Sequence, residues 1–183
     1  MIITREMSLQ DVAFIVCTAL SQNGLTAVLT GGSAATYYAP HVYQSRDIDF
    51  VIELVAPEGR RRGAEALKDL GYAELGGTYS HSTNPFTVEF PPGPLAVGDD
   101  RISGWKTVNK DGLLLNILTP TDCVRDRLMW FYLQPTDRSS LTAAVGVAKA
   151  HAIDVELIRS WSAREGFTDK FDEFARRIAS RSS

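Results

Sequence analysis

Two aspartates, Asp47 and Asp49, follow a glycine pair and a serine, Gly31-Gly32-Ser33. In an extended strand, residues two apart project to the same side, so this spacing puts both carboxylates on one face. Ile48, Phe50, Ile52 and Leu54 then project to the other face, toward a core. Side-by-side carboxylates repel unless a cation lies between them, and Mg²⁺ or Mn²⁺, which take oxygen ligands, meets that need. Upstream, Leu25 to Leu29 is a short apolar run, followed by Thr30, the two glycines and Ser33-Ala34-Ala35-Thr36-Tyr37-Tyr38. The pattern predicts a strand, a glycine turn and a short helix that ends before Pro40. Glycine at such a turn lets backbone N–H groups approach an anion, and the helix start adds partial positive charge. An anion cradle beside paired carboxylates is equipment for holding a nucleoside triphosphate.

The combined pattern GGSA, helix, S-R-D-I-D-F resembles the nucleotidyltransferase superfamily, the polymerase-β-like fold. Within it the sequence is most similar to the prokaryotic AbiEii-like toxin and stand-alone branch, and is also similar to the aminoglycoside-type enzymes. The resemblance implies an α+β fold: a core of mixed sheet with helices on one face, over residues 1–118, and a C-terminal helical region packed on it, over residues 119–183. It implies a metal-dependent enzyme that moves a nucleoside monophosphate from an NTP such as ATP to an acceptor hydroxyl. RNA or protein is the acceptor in the toxin branch, with an antitoxin as partner. The alternatives are a small-molecule acceptor or a catalytically silent nucleotide-binding or interaction module. Gly31, Gly32 and Ser33, with the Ser33 hydroxyl, are expected to grip the triphosphate. Asp47 and Asp49 are expected to hold two Mg²⁺ ions about 3.5–4 Å apart.

The superfamily carries a third acid on a later strand, and Phe86-Thr87-Val88-Glu89-Phe90 alternates cleanly, so that role falls to Glu89, as metal ligand or general base. Asp99 and Asp100 are second choices in a turn signal, and Lys106 is a candidate phosphate contact. For a cationic small-molecule acceptor, Glu53, Asp99 and Asp100 are the candidate acids. The toxin branch often has a Lys-Leu pair in a late helix and a basic-to-acidic pair just beyond it. Here Arg127-Leu128 and Asp137-Arg138 are the nearest equivalents, and Arg127 is given no nucleotide role.

Other elements must position these residues. Ser8-Leu9-Gln10-Asp11 reads as a capping box with Asp in place of Glu, opening a helix that Asn23-Gly24 stops. Pro57 opens the next helix, with Ala64, Leu67 and Leu70 as its apolar stripe and Gly71 after its end. Arg60, Arg61 and Arg62 in its first turn read either as a solvated face or as a patch for a phosphate-bearing acceptor. Tyr72 to Tyr79 predicts strands about a Gly76-Gly77 turn, Pro94 to Lys110 a long loop or two short strands, and Leu113 to Leu118 a strand. Thr119-Pro120-Thr121-Asp122 is a strong helix start, and Gln134-Pro135 breaks that helix. Two or three further helices are expected, with stripes that begin at Leu141, at Asp154 and near Thr168.

The net charge of −3 argues against an extended nucleic-acid-coating surface. Cys17 and Cys123 lie in apolar helical patterns and read as buried free thiols in a reducing compartment. The three histidines lack metal-ligand spacing. Val12 to Leu20 imitates a signal peptide, but Glu6 and Asp11 stand where basic residues belong and the periodicity is helical. A cytoplasmic protein without membrane contact is therefore expected.

Overall fold

The computed structural model of the protein describes residues 1–53, 57–134 and 136–180. Leu54, Val55 and Pro135, and the side chains of Glu53 and Arg60, lie outside the described residues. In chain order the elements are α1 (Leu9–Gln22), β1 (Thr26–Leu29), α2 (Gly31–Tyr38), β2 (Asp47–Glu53), α3 (Pro57–Asp69), β3 (Tyr72–Leu75), β4 (Thr78–His81), β5 (Thr87–Glu89), β6 (Ala96–Val97), β7 (Asp100–Arg101), β8 (Lys106–Lys110), β9 (Leu113–Ile117), α4 (Pro120–Leu133), α5 (Arg138–Ala150), α6 (Val155–Arg164) and α7 (Thr168–Ala179).

The capping box forms: Ser8 Oγ accepts from the Asp11 N–H, and Asp11 accepts from the Ser8 N–H at 3.2 Å. Val12, Val16 and Leu20 are fully buried, so the leader-like stretch is a core helix. Thr18 fastens α1 to β9, its Oγ1 accepting from the Leu114 N–H at 2.9 Å. No helix among the described residues is long and apolar enough to cross a membrane.

Seven strands form one mixed sheet in the order β3-β4-β5-β2-β1-β9-β8, and β6 and β7 make a separate hairpin. β2 sits at the centre, antiparallel to β1 and parallel to β5. β1 also runs parallel to β9. The outer strands arrive as hairpins, one of them turning at Gly76-Gly77 with both residues at positive φ, where glycine carries no steric penalty. α1 lies on β1 and β9 and touches α2 and α3. Ile48 and Phe50 of β2 are fully buried, as their alternation with the aspartates requires. The architecture is α+β.

α4 starts as its sequence dictates, with Thr119 Oγ1 accepting from the Asp122 N–H at 3.1 Å and Pro120 at the first helical position. It packs against α2, α5 and α6. Trp161 stacks on Tyr132 at 5.9 Å and Tyr132 on Phe167 at 4.8 Å, an aromatic stack within the core that the helices share with the sheet. Cys17 and Cys123 are buried free thiols, and burial pushes Cys17 up to about 11.

Candidate functional site

The glycine turn is also the start of α2. Gly31 is the first helical residue, at φ +64°, so the helix begins two residues earlier than the polar Ser33 suggests. A Cβ at Gly31 would fall 2.4 Å from Asp49 Oδ2, so glycine is needed for its dihedral and to leave room for that carboxylate. A Cβ at Gly32 would meet Tyr43 Oη at 3.0 Å. Thr30 caps the helix without a side-chain bond. The first N–H groups of α2 thus begin beside Asp49, with the partial positive charge of a helix start.

Asp49 is held by its backbone. Its carbonyl accepts from the Thr30 N–H at 2.9 Å, and its N–H donates to Ser33 Oγ at 3.1 Å. Ser33 Oγ itself donates to the Thr30 carbonyl at 2.8 Å and is fully buried. The Ser33 hydroxyl, expected to reach a phosphate, instead ties the helix start to the carboxylate strand. Ser45, two residues before Asp47, bonds both the Asp47 N–H and carbonyl, and its own N–H donates to Thr36 of α2. These hydroxyls set where β2 enters the site.

The parallel pairing of β2 with β5 places Asp49 opposite Glu89 and Asp47 opposite Thr87. Thr87 Oγ1 donates to Asp47 Oδ1 at 2.6 Å, and Thr78 Oγ1 donates to Glu89 Oε1 at 2.8 Å. Burial raises the Asp49 carboxyl to about 6; Arg127 acts against that rise, and Glu89, Asp47 and Asp126 add to it. The donors are all carboxylate oxygens that repel one another, which suits a hard divalent cation. As they stand, no three His, Cys, Asp or Glu side chains among the described residues converge closely enough to hold an ion. The hydroxyl bonds to Asp47 and Glu89 each engage one oxygen and leave the other.

Thr30, Gly31, Asp49, Glu89, Arg127 and Trp130 share one cavity of about 380 Å³. Arg127 is the residue that sequence reasoning passed over. It is buried, donating through Nε at 2.9 Å and Nη2 at 2.7 Å to Asp126 Oδ2. The readable signal was an Asp126-Arg127 pair set among Val124, Leu128 and Phe131, since arginine is rarely buried without a partner or a task. Of the second-choice acids, Asp100 has its carboxylate engaged elsewhere, and Asp99 is tied through its backbone. Asp100 pairs with Arg125 and Arg164, and the Asp99 N–H donates to Glu165. An Asp100 already carrying two guanidinium partners is unsuited to receive a cationic acceptor. Lys106 lies on the edge strand β8, outside this cavity. In α3, exposed Arg61 pairs with Glu65 and Arg62 donates to the Asn23 carbonyl.

No family model and no curated protein matches the chain. Solved structures do. The antibiotic-resistance factor ANT(2'')-Ia is 16% identical at a TM-score of 0.52, over 91% of this chain and 99% of that one. An antigenic nucleotidyltransferase-like protein from Paracoccidioides brasiliensis is 12% identical at a TM-score of 0.57, over 92% of this chain and 94% of that one. Agreement over nearly the whole of each chain, with the mixed sheet and helices described above, shows that this protein has the nucleotidyltransferase fold.

Proposed function

We propose that the protein transfers a nucleoside monophosphate from an NTP to an acceptor hydroxyl, with pyrophosphate leaving as the acceptor oxygen bonds to the α-phosphorus. The observation that carries this reading is the pairing of Asp49 with Glu89 on parallel strands beside the start of α2. Asp47, Asp49 and Glu89 would hold Mg²⁺ or Mn²⁺, which when bound supplies charge neutralisation and a more acidic acceptor hydroxyl. The N–H groups of Gly31, Gly32 and Ser33 would orient the triphosphate, and Arg127 would offset its charge. Glu89, with one oxygen bonded to Thr78, has the other for one of two roles, third metal ligand or acceptor of the hydroxyl's proton. In this reading residues 1–118 carry the acids and residues 119–183 supply Arg127 through α4.

RNA or protein as acceptor, with a toxin–antitoxin role, is the reading supported by the resemblance of the GGSA and D-I-D motifs. A small-molecule acceptor is the second reading, favoured by the fold shared with an antibiotic-resistance factor. A labelling assay tests both. The protein is incubated with α-labelled NTPs, Mg²⁺ or Mn²⁺, and separate pools of tRNA, lysate protein and aminoglycosides. Label in one pool, reduced about 10³-fold or more in Asp47→Ala/Asp49→Ala, identifies the acceptor class. Label that persists in that variant rules out the carboxylates as the catalytic groups.

A further inference from the structure

Trp130 has no part in the reaction outlined above, and its placement is unusual. It is 49% exposed, whereas Trp161 is fully buried. On α4 it follows Asp126 by four residues and Arg127 by three, so it lies on the same helix face, one turn along. It lines the cavity that contains Gly31 and Asp49. Pro91, Pro92, Pro94, Leu95 and Ala96 supply much of the remaining wall. Prolines have no backbone N–H to offer a base edge. The cavity therefore combines charge and N–H groups that suit phosphates with an exposed indole and a largely apolar stretch of wall.

The geometry points to a nucleobase subsite in this cavity, formed by Trp130 and the proline-rich segment. The base of a bound NTP stacks on the indole, and the prolines of the wall offer its edge no N–H donor. This inference rests on the reading of the cavity as a triphosphate site. It has a consequence for specificity: every base has a π face, so affinity carried by stacking accepts all four NTPs. Arg127 anchors the phosphates and Trp130 the base, both from α4.

Calorimetric binding in Mg²⁺ tests the subsite without turnover. ATP, GTP, CTP, UTP and inorganic tripolyphosphate are titrated into the wild type, Trp130→Ala and Trp130→Phe, with melting curves confirming that each variant is folded. The four NTPs are expected to bind the wild type within about tenfold of one another, and each more tightly than tripolyphosphate. Trp130→Ala is expected to weaken every NTP by about 10- to 100-fold while leaving tripolyphosphate unchanged, the range that loss of base stacking implies. Trp130→Phe, which keeps a ring, is expected to restore most of that affinity. NTP affinities unchanged in Trp130→Ala, or one NTP favoured more than 100-fold in the wild type, would overturn the subsite and leave the triphosphate reading standing. Absence of binding by any NTP and by tripolyphosphate would overturn the triphosphate reading, and the subsite with it.

Discussion

Burial beside Glu89, Asp47 and Asp126 raises Asp49 to about 6, against an ordinary value of 3.8. The folded, metal-free protein therefore favours the protonated form, while the unfolded chain ionises this group near its ordinary value. The contribution to stability is fully present below about pH 4 and is lost as pH rises through about 6. Asp49→Asn removes an ionisation that the fold resists. In chelator, its Tm is expected to exceed that of the wild type at pH 7–8 by a few degrees, and the two are expected to converge toward pH 4. Thermal melts across pH check this, and a constant difference at every pH would contradict it. Stability and function oppose each other at this residue, since the same variant is expected to lose labelling activity. Ser33→Ala tests the other half of the arrangement. It leaves the Asp49 N–H without its hydroxyl acceptor, at a cost of about 1–3 kcal/mol. Denaturant melts should show that loss, with activity reduced through misplacement of Asp49 and only partly lost.

At the scale of elements, α4 and the β2–β5 pair meet at the site. Arg127 acts on Asp49 through charge, and Asp126 holds Arg127 in place. Arg127→Met removes that influence, so Asp49 titrates higher and the acid limb of the activity profile should shift to higher pH. It also leaves Asp126, whose side chain is only 18% exposed, without its partner, costing roughly 3 kcal/mol. The double variant Asp126→Asn/Arg127→Met is expected to regain stability without regaining activity, which separates folding from chemistry. Arg127→Lys keeps the charge but not the paired N–H bonds and should lie between wild type and Arg127→Met. Equal pH profiles for Arg127→Met and wild type would remove Arg127 from the site.

The whole molecule joins the cavity wall to the helical region through charge. Asp100 of the β6–β7 hairpin pairs with Arg125 of α4 and Arg164 of α6, and Glu165 accepts from the Asp99 N–H. Ala96 of that hairpin lines the cavity. Asp100→Ala leaves buried Arg125 with Asp122 as its remaining carboxylate partner, so a loss of about 1–3 kcal/mol is expected in denaturant melts. Arg164→Ala, at an exposed end of the same network, should cost under about 1 kcal/mol. Ligand linkage acts at this scale too. NTP with Mg²⁺ at about 100 times Kd should add about 2.7 kcal/mol, raising Tm by about 5–10 °C, and Asp47→Asn/Asp49→Asn should abolish the shift. A shift that persists in that variant would place binding elsewhere.

The sequence by itself determined the local elements and the face of β2 that carries the acids. Ser8 with Asp11, Thr119-Pro120 and Gly76-Gly77 each act over a few residues, and the alternation in Asp47 to Ile52 needs only the geometry of a strand. Glu89 was legible only with a family resemblance, because its approach to Asp49 depends on a parallel pairing between residues 40 positions apart in the chain. Tertiary structure alone decided the strand order, the occupation of the Ser33 hydroxyl, the pairing of Asp100 with two arginines, and the entry of Arg127 and Trp130 into the cavity. Each of these is a contact between residues distant in sequence, or a hydrogen bond chosen among competing partners. Local propensity and spacing carry no information about either, since both depend on which surfaces meet when the core closes.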